Sequence, residues 1–191
     1  MEKLKNIVSG TTIGISASSK VVINFFAHYG VDPVMVFTVS GALVYGPIYG
    51  FIIGASTMVI ADFMLSLVGL WTIYTALAFG LVGFLAGLIG KFKKNFTRIE
   101  LAGLTLLLTL LFDVIAMTAF AFQFGIPLYS AAISQIPVTL IHTAWNMAMA
   151  FALAPSLMKI MSTISSPKAS VGFWKRIGIG VGNISAIRTK S

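Results

Sequence analysis

Apart from Lys20, every Lys and Arg in this chain falls near one of the two ends or in the short segment 91–98, and apolar stretches fill the space between. A soluble domain spreads charge over about a quarter of its residues; here 9% are charged and 58% hydrophobic, with a mean hydropathy of +0.97. Stretches this apolar are buried in lipid, where a helical span takes about 20 residues. The 191 residues hold six such spans with tight connections. The expected fold is an all-α integral membrane protein, a bundle of six transmembrane helices.

Turn signals divide the chain. Helix 1 is expected at 7–28, closed by Gly30, Val31, Asp32 and Pro33, and a short helix 2 at 34–45 ends at Gly46 and Pro47. Helix 3 follows at 48–70, helix 4 at 72–90, helix 5 at 99–122 and helix 6 at 130–161, with Gly125, Ile126 and Pro127 between the last two. Residues 1–162 form one membrane domain, and 163–191 a flexible, basic cytoplasmic tail. Its apolar-basic knot, Phe173, Trp174, Lys175 and Arg176, reads as part of a disordered tail or as an interfacial anchor. Residues 7–17 superficially resemble a signal peptide, but Gly10, Thr11, Thr12 and Gly14 interrupt the apolar run, so the segment is read as a retained first helix.

Charge then orients the bundle. Six spans put both termini and the 91–98 loop on one side, and the positive-inside rule makes that side the cytoplasm. The outer connections, around Asp32, Trp71 and 123–129, contain no Lys or Arg. A net charge of +8 placed at span ends suits anionic lipid, not nucleic acid. With no Cys, disulfide, thiolate and Cys-ligated metal chemistry are excluded. The sequence holds no phosphate-binding loop, zinc-protease helix or nucleophile elbow. No enzyme or cofactor is indicated, and ATP hydrolysis, if it powers this protein, happens in another chain.

Candidate functional residues are the polar groups inside the spans. Lys20, Asp62 and Asp113 are the charged residues well inside expected helices, each about 20 Å from the cytoplasmic end at 1.5 Å per residue. Such groups line a cavity or pair with one another. The triad reads either as an ion-pair cluster packing helices 1, 3 and 5 or as a ligand site. On helix 6, Gln135, Thr139, His142 and Asn146 are spaced 4, 3 and 4 apart, which aligns them on one face. Helix 1 carries Thr12, Ser16, Lys20, Asn24 and His28 four apart. Trp71, Tyr74 and Tyr129 lie near the outer mouth, as an interfacial belt or a stacking platform. Small residues recur at Gly10, Gly14 and Ser18, at Gly46, Gly50 and Gly54, and at Gly83 and Gly87. That spacing permits close helix packing or, on an exposed helix, a docking face.

The stretch from Ser40 through Tyr45, Gly46, Pro47, Tyr49 and Gly50 to Gly54, followed by Asp62, resembles the helix 2 to helix 3 region of substrate-binding S components of energy-coupling factor (ECF) transporters. The run His142, Thr143, Ala144, Trp145, Asn146, leading to Ala154 and Pro155, is similar too, and the resemblance spans about residues 7–162. It implies a subunit in a prokaryotic cell membrane that captures a vitamin-like small molecule from outside without altering it. The partners implied are a membrane coupling subunit and two cytoplasmic ATPases. The family's small-residue docking motif on helix 1 maps onto Gly10 and Gly14, or Gly14 and Ser18. Substrate contacts are expected from Lys20, Asp62, Trp71, Tyr74, Asp113, Tyr129, Gln135, His142 and Asn146. The alternative is a self-sufficient proton-coupled carrier using Asp62, Asp113 and His142. No motif selects among a flavin, thiamine, pyridoxine, a corrinoid or a metal-linked compound, although the lack of an N-terminal Met-His cluster argues against nickel or cobalt.

Overall fold

The computed structural model describes residues 2–26 and 31–165. Among these the chain forms six helices and no strand: α1 (Glu2–Phe26), α2 (Val34–Tyr45), α3 (Pro47–Met64), α4 (Leu70–Phe92), α5 (Arg98–Phe124) and α6 (Leu128–Ile164). The all-α class read from the apolar runs is therefore observed. By length and composition four helices, α3 to α6, are able to cross a membrane. α1 is long enough, but Ser, Thr, Lys and Glu dilute its apolar character. α2 is apolar, but its 12 residues span only about 18 Å at 1.5 Å each. The basic knot at 173–176 and His28 lie outside the described residues.

α2 is short because Gly46 ends it. This residue has φ 101°, a backbone conformation open to glycine and strained for other residues. Pro47 then starts α3 at a position where its missing N–H costs nothing. Ten residues of α2, from Val34 to Tyr45, are buried, and α2 touches all five other helices. It is hydrophobic on every side, as befits a helix at the centre of a bundle. The main core is built on it, with Val34, Met35, Val36 and Val39 packed among Phe79, Val82, Leu108 and Phe112.

α3 stops at Met64, six residues before the expected Leu70. The N–H of Leu67 donates to the Asp62 carbonyl at 2.8 Å and that of Ser66 to the Phe63 carbonyl at 3.1 Å. This pair of bonds closes a helix when the next residue turns left-handed. Ser66 takes that conformation, with φ 58°, where a glycine is usual. No glycine marks the stop, so the sequence hides it. The same closure at the end of α5 uses Gly125, with φ 63°, and there the sequence signal is plain. α5 begins with a capping box in which the Thr97 N–H donates to Glu100 Oε2 at 2.9 Å and the Glu100 N–H to Thr97 Oγ1 at 3.3 Å.

The small-residue spacing in α3 and α4 does what its pattern suggests. A Cβ added to Gly50 would meet the Gly83 carbonyl, one on Gly54 the Phe79 carbonyl, and one on Gly87 the backbone of Pro47, all closer than real Cβ atoms approach. The two backbones therefore touch along three successive turns. The Thr38 methyl group of α2 sits over the same crossing, against Gly54 and Gly83.

Side-chain contacts show which helix ends lie together. The Tyr49 hydroxyl donates to Asn6 Oδ1 at 2.7 Å. The Tyr45 hydroxyl donates to the Met161 carbonyl at 3.1 Å and accepts from Ser165 Oγ at 3.0 Å. With Gly87 against Pro47, the start of α1, the α2–α3 joint, the end of α4 and the end of α6 share one end of the bundle, with the basic 91–98 loop. The α3–α4 and α5–α6 connections, which lack Lys and Arg, lie at the opposite end.

Candidate functional site

A cavity of about 310 Å³ lies in the half of the bundle away from the basic loop, between the second half of α1, the N-terminal half of α4, the C-terminal half of α5 and the N-terminal half of α6. That volume is at the lower end of the range for small-molecule pockets. Helical period explains which residues reach it. On α5, Phe112, Asp113, Ala116, Met117 and Phe120 face it, and on α4, Trp71, Thr75 and Phe79 do so at four-residue intervals.

One wall is aromatic. Trp71 meets Phe120 edge to face, with ring centroids 5.9 Å apart and planes at 88°. Phe79 and Phe112 lie 4.2 Å apart and tilted, and Phe112 stands edge-on to His142 at 5.7 Å. Aromatic pairs favour such offset arrangements. Flat rings at several orientations around one space are suited to holding a flat heteroaromatic group.

The polar groups form two pairs instead of one triad. His142 Nδ1 and Asp113 Oδ1 are 2.7 Å apart, and both residues are 4% exposed. Lys20 reaches neither Asp62 nor Asp113. Its Nζ lies 3.9 Å from Asp32 Oδ2 and donates to Met58 Sδ at 3.2 Å. A thioether is a weak acceptor, so this ammonium is under-committed. Asp32 is held from three sides. Its Oδ1 accepts the Val34 N–H at 3.0 Å, its backbone carbonyl accepts Trp145 Nε1–H at 3.1 Å, and Oδ2 faces Lys20.

Of the residues singled out in the sequence, Lys20, Trp71, Asp113, Gln135 and His142 line this one cavity. Asp62, Tyr74, Tyr129 and Asn146 do not. Asp62 is buried in α3, and its Oδ2 is sealed without a partner among the described residues. Asn146 is fully buried one turn beyond His142, and neither of its amide atoms has a partner among the described residues. Tyr74 is half-buried, and Tyr129 is 78% exposed at the start of α6. Asp32, Met58, Thr75, Phe79, Phe112, Met117 and Phe120 line the cavity without having been singled out. For Asp32 a signal existed, an acidic residue before Pro33 in a connection otherwise free of charge. A phenylalanine in an apolar helix carries no comparable mark.

Gly10, Gly14 and Ser18 lie on the opposite side of α1. All three are exposed, and open space surrounds the Cβ positions of both glycines. A shallow groove lined by Gly14, Ile15, Ser18, Ser19, Val22 and Ile23 runs along this face, while α1 packs against α2 and α3. The inward face carries the expected stripe, with Thr12 and Ser16 buried.

No curated protein and no solved structure matches the chain. A family model described as "ECF-type riboflavin transporter, S component" matches residues 10–163. This range takes in nearly all of α1 to α6 and every cavity residue named above. The protein is thus a multi-pass membrane protein of a transporter family, not of an enzyme family, and it belongs to the ECF-type riboflavin transporter S components, the substrate-binding subunits of these systems.

Proposed function

We propose that this chain captures riboflavin, or a close flavin relative, from outside a prokaryotic cell and holds it in the cavity between α1, α4, α5 and α6 for ATP-driven uptake. The carrying observation is the cavity's make-up: aromatic rings of Trp71, Phe79, Phe112 and Phe120 beside two polar pairs, in the half of the bundle whose connections lack Lys and Arg. The rings contact the isoalloxazine. Lys20 and Gln135 donate to its carbonyl oxygens, and the Asp113–His142 pair meets its polar edge. Asn146, fully buried one turn deeper, lies outside the cavity lining, and its amide without partners among the described residues costs roughly 1–3 kcal/mol.

In this reading six helices cross the bilayer, α2 with the help of its neighbours, and both termini lie with the 91–98 loop in the cytoplasm. The exposed small-residue face of α1, at Gly10, Gly14 and Ser18, docks on a membrane coupling subunit bound to two ATPases. The chain performs no chemistry on its cargo.

The test is titration of the purified, ligand-stripped protein with riboflavin, following quenching of flavin fluorescence. Saturable one-to-one quenching is expected, weakened about tenfold, or 1.4 kcal/mol, by Lys20→Met. If riboflavin is not bound while another vitamin is retained through purification, the assignment of cargo fails.

A further inference from the structure

Among the described residues, His142 hydrogen-bonds through one of its two ring nitrogens. Nδ1 lies 2.7 Å from Asp113 Oδ1. A carboxylate can only accept, so the proton of a ring carrying one proton sits on Nδ1, and Nε2 is left as an acceptor. Nε2 makes no hydrogen bond within the described structure. It is also absent from the sealed, unpartnered polar atoms, which include the neighbouring Asp113 Oδ2 and both amide atoms of Asn146. His142 lines the cavity, and Nε2 is the ring nitrogen left without a partner among the described residues. The ring cannot turn freely, because Phe112 stands edge-on to it and Asp113 holds the other nitrogen.

The surrounding polar groups complete a pattern. Lys20 carries only donors, and Gln135, two helical turns before His142, carries both a donor and an acceptor. Donors beside a fixed acceptor complement a ligand edge in which one N–H lies between two carbonyls. An oxidised flavin has one ring N–H, the imide N3–H, and it lies between the C2 and C4 carbonyls.

We infer that His142 Nε2 accepts the ring imide N–H of the ligand and that Asp113 is the positioning residue that fixes its tautomer. This rests on the flavin reading above and names the contact that selects within that class. A site built to bond an N–H rejects an analogue lacking it, since the acceptor is then buried unsatisfied.

The experiment compares riboflavin with N3-methylriboflavin, in which a methyl group replaces that hydrogen. Using the ratio of the two affinities within each variant cancels any general loss of fold. Wild type is expected to bind the methylated flavin about 10- to 100-fold more weakly. His142→Phe brings the ratio close to one, whereas His142→Gln, which keeps an acceptor, retains part of it. Asp113→Asn lowers riboflavin affinity more than N3-methylriboflavin affinity, so that the ratio shrinks; a merely structural Asp113 would weaken both alike. Equal wild-type affinity for the two flavins overturns the imide contact while the flavin reading stands. Failure to bind either flavin overturns both.

Discussion

Lys20 shows how far a single residue can be read. A lone cation within an apolar helix is expensive and needs a partner, and the sequence offered two carboxylates on other spans. The structure supplies a third, Asp32, at 3.9 Å, although it lies outside any helix and reads as a turn residue before Pro33. Trp145 secures that carboxylate's backbone from α6. Trp145→Phe removes the indole donor while keeping most of the ring's bulk, and should cost roughly 1 kcal/mol. A melting temperature lowered by a few degrees in detergent would register this, and an unchanged value would mean that the 3.1 Å bond contributes nothing to stability. Aspartate at 32 and lysine at 20 share the cavity wall, so the same variant is expected to loosen riboflavin binding as well.

At the scale of helices, local backbone chemistry decides where elements stop. Gly46, Pro47 and Gly125 announced their breaks, whereas the end of α3 lies at Ser66, a residue compatible with helix, strand or loop. Holding an L residue left-handed costs about 1–2 kcal/mol, partly offset in a glycine replacement by the greater freedom of the unfolded chain. Ser66→Gly should therefore stabilise the fold by about 0.5–1 kcal/mol, visible as a raised thermal midpoint; a lowered one would show that the serine makes a contact that outweighs its strain. Gly83→Val tests the opposite case. Its side chain would run into the Gly50 carbonyl, where backbone cannot yield without parting α3 from α4. Overpacking of this kind costs about 1–3 kcal/mol or more. Loss of monodisperse protein on size-exclusion chromatography is expected, while Gly103→Val, in open space, should behave as wild type.

Viewed whole, the molecule keeps the proposed cargo site apart from the proposed docking face. The cavity lies toward the end whose connections lack Lys and Arg, and the exposed small-residue face lies on the perimeter of α1. A bulky Gly14→Trp should abolish co-purification with the coupling subunit and leave riboflavin affinity unaltered; a parallel loss of affinity would mean that this face supports the fold instead. Since the chain has no cysteine, single cysteines report orientation cleanly. Leu67→Cys, in the exposed α3–α4 connection, should react with an impermeant maleimide from outside intact cells. Lys94→Cys, in the basic loop, should react only in inverted vesicles. The reverse pattern would refute the topology.

Membrane residence, helical class, most helix boundaries and the inward faces of α1 and α6 were determined by the sequence alone. They depend on transfer to lipid, on the 3.6-residue period and on glycine and proline at breaks, all of which act locally. Tertiary structure decided that a 12-residue helix is the hub of the core, that Lys20 pairs with Asp32 while Asp113 pairs with His142, and that particular phenylalanines line a cavity. Apolar side chains gain almost nothing in choosing lipid over protein interior. Their final surroundings are therefore set by which helices fit together and by which few polar groups must find partners.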